Sequence, residues 1–212
     1  MLMSKVKKLK TDYSKIQEDW LKLKDVFIER VNFLIPKARW QESYAGISID
    51  ELQTQASSLS DFGVRLGADM GHIFEHALGH ALHTVKLNGK QYNSSEGDFI
   101  WHNLIAEMKS SPRNDWAGST HSASKSLHYI LIKYELNRTK VIKEGEDYLK
   151  SLSVILTDID KEMWYGTHKS NSSFTKLEIP IEHPLIMLMG GRRPKRKYLE
   201  FINEGVDSPL GI

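Results

Sequence analysis

The chain has 212 residues, of which 40% are hydrophobic and 26% charged, a composition typical of a single globular domain. Cysteine is absent, which excludes disulfides and thiolate zinc sites and is consistent with a cytoplasmic protein. The net charge is only +2, but Lys and Arg are in excess over residues 1–40 and in RRPKRK at 192–197, so a polyanionic partner and a merely solvated basic surface both stay open.

The N-terminal region predicts helices and no membrane segment. No apolar run approaches the ~18 residues that a membrane span needs, and the basic start MLMSKVKKLK has no apolar stretch behind it, so we expect no secretory signal. The helical spacing favours one helix over the first 35 residues, ended by Pro36. The apolar positions of this helix are Ile16, Trp20, Leu23, Phe27, Val31 and Leu34. A second helix is predicted from Ser48, with Glu51 completing a capping box.

A third helix is predicted from about Ser60 to Leu82, and it contains HIFEHALGH at 72–80. At about 100° per residue, its apolar side chains share one face and four histidines share another, with Glu75 at the border between them. The apolar set is Leu66, Met70, Ile73, Phe74, Ala77, Leu78 and Ala81, and the histidines are His72, His76, His80 and His83. Gly71 and Gly79 flank Glu75 and leave room for a backbone or a ligand.

The letters around Glu75 also fit H-x-x-E-H, a zinc-protease pattern, in which His72 and His76 would bind zinc. No third ligand stands out downstream. A histidine stripe on a polar helix face is more often solvated surface than a metal site.

From Thr84 onward the pattern indicates strands. The segment TVKLNGKQY contains Asn88-Gly89, a hairpin turn signal. The next predicted strands are 98–101 and 104–109, joined by a two-residue turn at His102-Asn103. The runs at 127–136 and 151–160 are apolar and β-branched, as central strands are, and TKLEIPI is a possible further strand before a basic final helix.

The hairpin at 98–109 carries the strongest functional signal. A turn at His102-Asn103 would pair Phe99 with Ala106 and bring Asp98 opposite Glu107, while Lys109 shares the face of Glu107. Two opposed carboxylates repel unless a cation or a proton lies between them. Oxygen ligands of this kind suit Mg²⁺, which would polarise a phosphodiester. The alternative is a surface hairpin with an ordinary Glu–Lys pair.

Over roughly residues 60–160 the sequence resembles the PD-(D/E)xK nuclease superfamily, and within it the type II restriction endonucleases. The resemblance is carried by Glu75 on a preceding helix, the Asp98 strand, the Glu107-Met108-Lys109 strand and the two later strands. The polar segment after Lys109 is also similar to that of several restriction enzymes. Gly97 departs from the pattern, because it stands where the name-giving proline would be.

The resemblance implies a role for each of these residues. Asp98 and Glu107 would bind Mg²⁺, Lys109 would serve the attacking water, and Glu75 would support the metal shell. It implies in-line attack on phosphorus that leaves a 5′-phosphate and a 3′-hydroxyl. It further implies a homodimer acting on a palindromic double-stranded DNA site.

Three polar or basic segments are predicted to contact DNA, through phosphates and base edges. Solvated loops and a solvated charge run are the alternatives for all three. The predicted contact residues are Arg113, Asn114, Ser119, Thr120, His121, Ser122, Lys125, His168, Lys169, Asn171, Arg192, Arg193 and Lys195.

Together these patterns predict one α/β (mixed α+β) domain spanning residues 1–212, with a central mixed sheet flanked by helices. Residues 1–58 would form a helical N-terminal extension, 59–160 the catalytic core and 161–212 a closing segment that contacts DNA. The predicted function is a Mg²⁺-dependent, sequence-specific DNA endonuclease. A zinc metallopeptidase built on His72, Glu75 and His76 is one alternative, and a non-catalytic nucleic-acid-binding protein is the other.

Overall fold

The structure, a computed structural model, describes residues 12–37, 59–94, 96–112, 116–119, 128–139, 147–159, 164–167, 174–177 and 183–190. The helix predicted from Ser48 and the basic final helix lie outside these ranges. Among the described helices, none is long and apolar enough to cross a membrane.

Helix α1 spans Ser14–Leu34 and continues into a short 3₁₀ helix, Ile35–Lys37, which contains Pro36. The predicted end of the helix at this proline is therefore confirmed, whereas Asp12 and Tyr13, which the prediction included, precede the helix. Five of the six positions that the spacing assigned to the core are buried, since Ile16, Trp20, Leu23, Phe27 and Val31 are each at most 3% exposed. The sixth, Leu34, is partly buried against the core. Because these residues recur every three or four positions, their side chains lie along one stripe of the helix.

Helix α2 spans Leu59–Thr84, close to the predicted bounds. Its predicted core face is buried throughout, and the four histidines of its other face are exposed, so the angular prediction is confirmed. The helix packs against α1 on one side and against the sheet on the other. The ring of Phe74 on α2 stacks on Phe27 of α1 and also packs against Tyr134 of the sheet. These contacts join α1, α2 and the sheet in one core.

Nine described strands form two sheets. The strands in chain order are β1 Gly89–Ser94, β2 Gly97–Trp101, β3 Leu104–Ser111, β4 Trp116–Ser119, β5 His128–Leu136, β6 Leu149–Asp158, β7 Trp164–Thr167, β8 Phe174–Leu177 and β9 Ile186–Met189. The six-stranded sheet has the order β1-β2-β3-β5-β6-β9, and the three-stranded sheet has the order β4-β8-β7.

The six-stranded sheet is mixed, because β3 and β5 run parallel while its other neighbouring strands are antiparallel. A mixed sheet with two helices is an α/β fold, as predicted. The small sheet was not predicted, although β8 overlaps the start of the possible strand TKLEIPI, and its members are only four residues long. Trp116 of β4 ties it to the large sheet, since its indole Nε1–H donates to the backbone oxygen of Ile132 at 3.0 Å.

The prediction of a hairpin turn at Asn88-Gly89 was wrong. These residues connect α2 to β1, and Lys86, with φ of 58°, helps the chain leave the helix. Gly89 begins β1 at a tight contact, where a Cβ atom would lie 2.9 Å from Leu82 Cδ2 and 3.0 Å from Trp101 Cδ1. The glycine therefore serves close packing, a role that the sequence alone does not distinguish from a turn.

The turn at His102-Asn103 is confirmed. Both residues have positive φ, 47° and 66°, as a two-residue type I′ hairpin requires. The tip of this hairpin is held to α1 by Asp19, which is 6% exposed. The carboxylate Oδ2 of Asp19 accepts a hydrogen bond from Trp101 Nε1 at 3.2 Å and lies 2.7 Å from His102 Nε2.

Candidate active site

Strand β3 presents alternate residues to opposite faces of the large sheet. Ala106 and Met108 belong to the hydrophobic core under the helices. Glu107 and Lys109 therefore point to the other face, as the strand period requires. Glu107 is 7% exposed, and its Oε1 forms an ion pair with Lys109 Nζ. This pair was predicted from the spacing, and the structure brings the two side chains together.

Asp98 reaches the same site from β2, although not by the predicted route. The backbone pairs between β2 and β3 are Trp101–Leu104, Ile100–Ile105 and Phe99–Ala106, as predicted, and they stop there. The directly opposed Asp98–Glu107 pair is absent from this described ladder. Asp98 Oδ2 instead accepts a hydrogen bond from the backbone N–H of Met108 at 2.7 Å, so a carboxylate takes the place of a ladder acceptor.

Gly97 explains why the ladder ends in this way. A Cβ atom at Gly97 would lie 2.8 Å from Ile105 Cγ2 and 3.0 Å from the backbone oxygen of Ala106. The start of β2 therefore approaches β3 more closely than a residue with a side chain at position 97 would allow. This contribution was missed in the sequence, where the only signal was a glycine directly before a strand carboxylate.

Glu75 completes the group from α2, which contacts β3. Its side chain is 22% exposed, and its Oε2 lies 3.7 Å from His72 Nδ1. Burial raises the pKa of Glu75, the charges of His72 and Lys109 oppose that rise, and the negative charge of Glu107 adds to it. The four predicted catalytic residues thus lie near enough to one another to influence each other's charge.

The pKa of Asp98 is raised to about 6, first by burial and then by the negative charge of Glu107. The Met108 N–H and the Lys109 ammonium act in the opposite direction, and Glu75 raises the pKa slightly further. The Asp98 carboxylate thus resists ionisation chiefly because it is buried, and the nearby negative charges of Glu107 and Glu75 add to the cost of ionising it. A divalent cation or a proton would relieve this repulsion.

The donor set fits a hard cation such as Mg²⁺ better than a transition metal. Its ligands would be carboxylate oxygens, which suit Mg²⁺. The chain has no cysteine thiolate, and no imidazole belongs to this group of residues, so the ligands that transition metals prefer are missing from it. Within the described ranges, no set of three or more His, Asp or Glu side chains is already gathered in metal-binding geometry. Mg²⁺ commonly uses only one or two protein carboxylates, with waters and substrate phosphates supplying the rest.

The histidines of α2 are not drawn into this group. His72 is 74% exposed, and His76, His80 and His83 are also exposed. His80 Nε2 lies 3.4 Å from Thr84 Oγ1 on the same helix. The described residues offer no third ligand gathered beside His72 and His76, so nothing in them favours a peptidase zinc site.

Most predicted DNA-contact residues lie outside the described residues. Ser119 is the exception, since it ends β4 and pairs with Phe174 of β8 in the backbone ladder. Its segment was expected to be a loop. The remaining ones are Arg113, Asn114, Thr120, His121, Ser122, Lys125, His168, Lys169, Asn171, Arg192, Arg193 and Lys195.

No protein-family model matches the sequence, and no curated protein matches it significantly.

Proposed function

We propose that the protein is a Mg²⁺-dependent, sequence-specific DNA endonuclease of the PD-(D/E)xK kind, most similar to type II restriction enzymes. The observation that carries this proposal is the convergence of Glu75, Asp98, Glu107 and Lys109 at the point where β2 and β3 stop pairing. Three carboxylates and one ammonium from three separate elements would be a costly arrangement without a function.

The order of elements supports the proposal. A helix carrying Glu75 is followed by a strand carrying Asp98 and then by a strand carrying Glu107 and Lys109. Strand β5 next lies parallel to β3, and β6 follows beside it. This is the succession in which the resemblance places its acidic helix, its two catalytic strands and its later central strands.

In this proposal Asp98 and Glu107 would hold the Mg²⁺, and Glu75 would support its coordination shell. The ion would supply polarisation of the scissile phosphodiester and a bound water of lowered pKa. Asp98 is fixed for this role by the hydrogen bond from Met108, which orients one carboxylate oxygen and leaves the other available.

Lys109 positions the attacking water and balances the charge of the phosphate. Its ammonium is held by Glu107 and is 19% exposed, so it is both oriented and accessible. The oxygen of the water would bond to phosphorus as the bond from phosphorus to the 3′ oxygen breaks. A proton returns to that oxygen, which leaves a 3′-hydroxyl and a 5′-phosphate.

DNA cleavage by Lys109→Ala and the wild type is the direct test. The matched control is Lys150→Ala, because Lys150 Nζ also pairs with a glutamate, Glu135 Oε1 at 2.9 Å, but the pair is more than half exposed. Mixed plasmid and phage DNA is incubated with Mg²⁺ or with EDTA. We expect discrete fragments from the wild type and Lys150→Ala with Mg²⁺ alone, and a loss of at least about 100-fold in Lys109→Ala.

Intact DNA under every condition would contradict the proposal. Binding to DNA that is indifferent to both Mg²⁺ and Glu107→Ala would favour the non-catalytic alternative. Stoichiometric zinc in the purified protein, together with peptide hydrolysis, would favour the metallopeptidase.

A further inference from the structure

Strand β1, at one edge of the large sheet, presents two exposed side chains on the face of the candidate active site. Gln91 faces α2, because a Cβ atom at Gly79 of that helix would lie 3.4 Å from Gln91 Cβ. Successive side chains of a strand point to opposite faces of a sheet, so Lys90 and Tyr92 point away from the helices. The ion pair of β3 lies on this same face.

The register of β1 sets Tyr92 opposite Asp98. Between two consecutive pairs of the β1–β2 ladder, β1 has two residues, 92 and 93, whereas β2 has only Asp98. An extra residue of this kind bends a strand and re-aims its side chains, and such irregularities are common next to active sites. Opposed residues of neighbouring strands lie within contact distance. Tyr92 therefore borders one of the carboxylates of the candidate site.

The exposure of Tyr92 is not shared by other large side chains near the site. Tyr92 is 38% exposed, and the other large hydrophobic side chains that the described residues expose, Leu21 and Phe33, belong to α1. Lys90 is exposed as well. A tyrosine hydroxyl and a lysine ammonium both donate hydrogen bonds, and both are used to bind phosphate oxygens of DNA.

We propose that Lys90 and Tyr92 form a contact surface for the DNA backbone, and its place beside the scissile phosphodiester rests on the proposed function. The Tyr92 hydroxyl donates a hydrogen bond to a phosphate next to the scissile one, and the Lys90 ammonium pairs with a further phosphate of the same strand. The carboxylates of the candidate site repel a polyanion. A DNA strand that passes over them therefore needs hydrogen-bond donors and positive charge beside them, and β1 supplies both.

Binding of a fluorescein-labelled DNA duplex of mixed sequence to the full-length protein in EDTA tests this contact surface. Contacts to the backbone need no particular base sequence. We expect Tyr92→Phe to weaken binding at least about fivefold, because a hydrogen bond to a charged group is lost. Lys90→Ala should weaken binding at least about threefold and lower the salt dependence by about one phosphate contact. Tyr92→Phe should leave the salt dependence unchanged, because it removes no charge.

Phe33→Ala and Lys150→Ala are the matched controls, since they remove an exposed aromatic ring of α1 and an exposed ammonium of β6. Both should bind DNA as the wild type does. Circular dichroism verifies that each variant is folded. Wild-type affinity in Tyr92→Phe or in Lys90→Ala overturns the contact surface, as does an equal loss in the controls or an absence of DNA binding by the wild type.

Cleavage of plasmid DNA with Mg²⁺ separates this inference from the proposed function. Tyr92→Phe should raise KM by about the factor seen in binding and leave kcat within about twofold, because the hydroxyl would contact a phosphate that does not react. An unchanged KM in Tyr92→Phe, with an active wild type, overturns the contact surface and leaves the nuclease in place. An inactive wild type contradicts the nuclease instead, and the binding comparison still decides the contact surface.

Discussion

Gly97 and Asp98 act as a pair, because the small size of one residue determines what the other can contact. Without a side chain at Gly97, β2 approaches the backbone of Ala106, and Asp98 reaches the N–H of Met108. The same tight contact excludes the larger ring of proline. The presence of Gly97, where the PD-(D/E)xK pattern has proline, is therefore explained by packing, and the carboxylate stays in place.

We predict that Gly97→Ala destabilises the protein by about 1–3 kcal/mol, as overpacking generally does, and lowers Mg²⁺-dependent cleavage. The added methyl group must displace Ile105 or the Ala106 carbonyl, and Asp98 would move with β2. Gly67→Ala is the matched control, since a Cβ at that helical position meets nothing within 4 Å. Urea denaturation and cleavage assays measure both effects. Equal stability of Gly97→Ala and the wild type would contradict the tight contact.

Asp98 should make stability depend on pH in an unusual direction. Its folded pKa of about 6 lies above the usual pKa of an aspartate side chain, 3.8, so the folded protein binds this proton more tightly than the unfolded chain. The free energy of unfolding should therefore fall as the pH rises through this interval, and the cost is fully present above the folded pKa. In the proposed active site, stability would thus be given up for function, as is common in active sites.

We predict that Asp98→Asn stabilises the metal-free protein by about 1–3 kcal/mol at pH 8 and that the gain disappears at pH 4. The amide oxygen of asparagine can still accept the Met108 hydrogen bond, so the main change is the loss of charge. Asp25→Asn, at an exposed position of α1, controls for removing a charge. Urea denaturation at several pH values provides the measurement. A variant less stable than the wild type at pH 8 would refute the pKa argument.

Regular spacing made the helices and the hairpin predictable, because their apolar faces repeat with the period of the element. Both core faces of α1 and α2 were predicted, as was the turn at His102-Asn103. The strand alternation also placed Glu107 and Lys109 together. These features depend on local geometry, which the sequence encodes directly.

Features that depend on close approach between elements were not predictable. The role of Gly89 follows from its contacts with Leu82 and Trp101, and the end of the β2–β3 ladder follows from Gly97. The short strands of the small sheet carry too few residues for a period to be recognised. Glu75 was singled out only by its position at the border of a helix face.

Asp19 is the clearest case of a polar residue that joins two elements. It is buried on α1 and contacts both Trp101 and His102 at the hairpin tip. We predict that Asp19→Ala destabilises the protein by about 1–3 kcal/mol, because the Trp101 N–H would lose its buried acceptor. Asp25→Ala on the exposed face of α1 is the control. Thermal unfolding provides the measurement, and equal effects of the two variants would contradict the anchoring role.

In the described part of the chain, α1 and α2 lie on one face of the large sheet, and Glu107 and Lys109 point to the other face. The core under α1 and α2 takes Ala106 and Met108 of β3, and the face away from them carries Glu107 and Lys109. The described residues contain one such group. Under the proposed function, cleavage of both strands of a duplex at a palindromic site would therefore call for two chains related by a twofold axis.

We predict that a wild-type homodimer converts a supercoiled plasmid with one recognition site directly to the linear form. A heterodimer of one wild-type and one Lys109→Ala subunit, prepared with two different affinity tags, should instead accumulate nicked circles, because only one strand meets a complete catalytic group. A heterodimer carrying Lys150→Ala in place of Lys109→Ala should still give linear product. Sedimentation of the free protein measures whether the dimer forms without DNA. Direct linearisation by the Lys109→Ala heterodimer would contradict one catalytic group per strand, because a single group would then suffice for both strands.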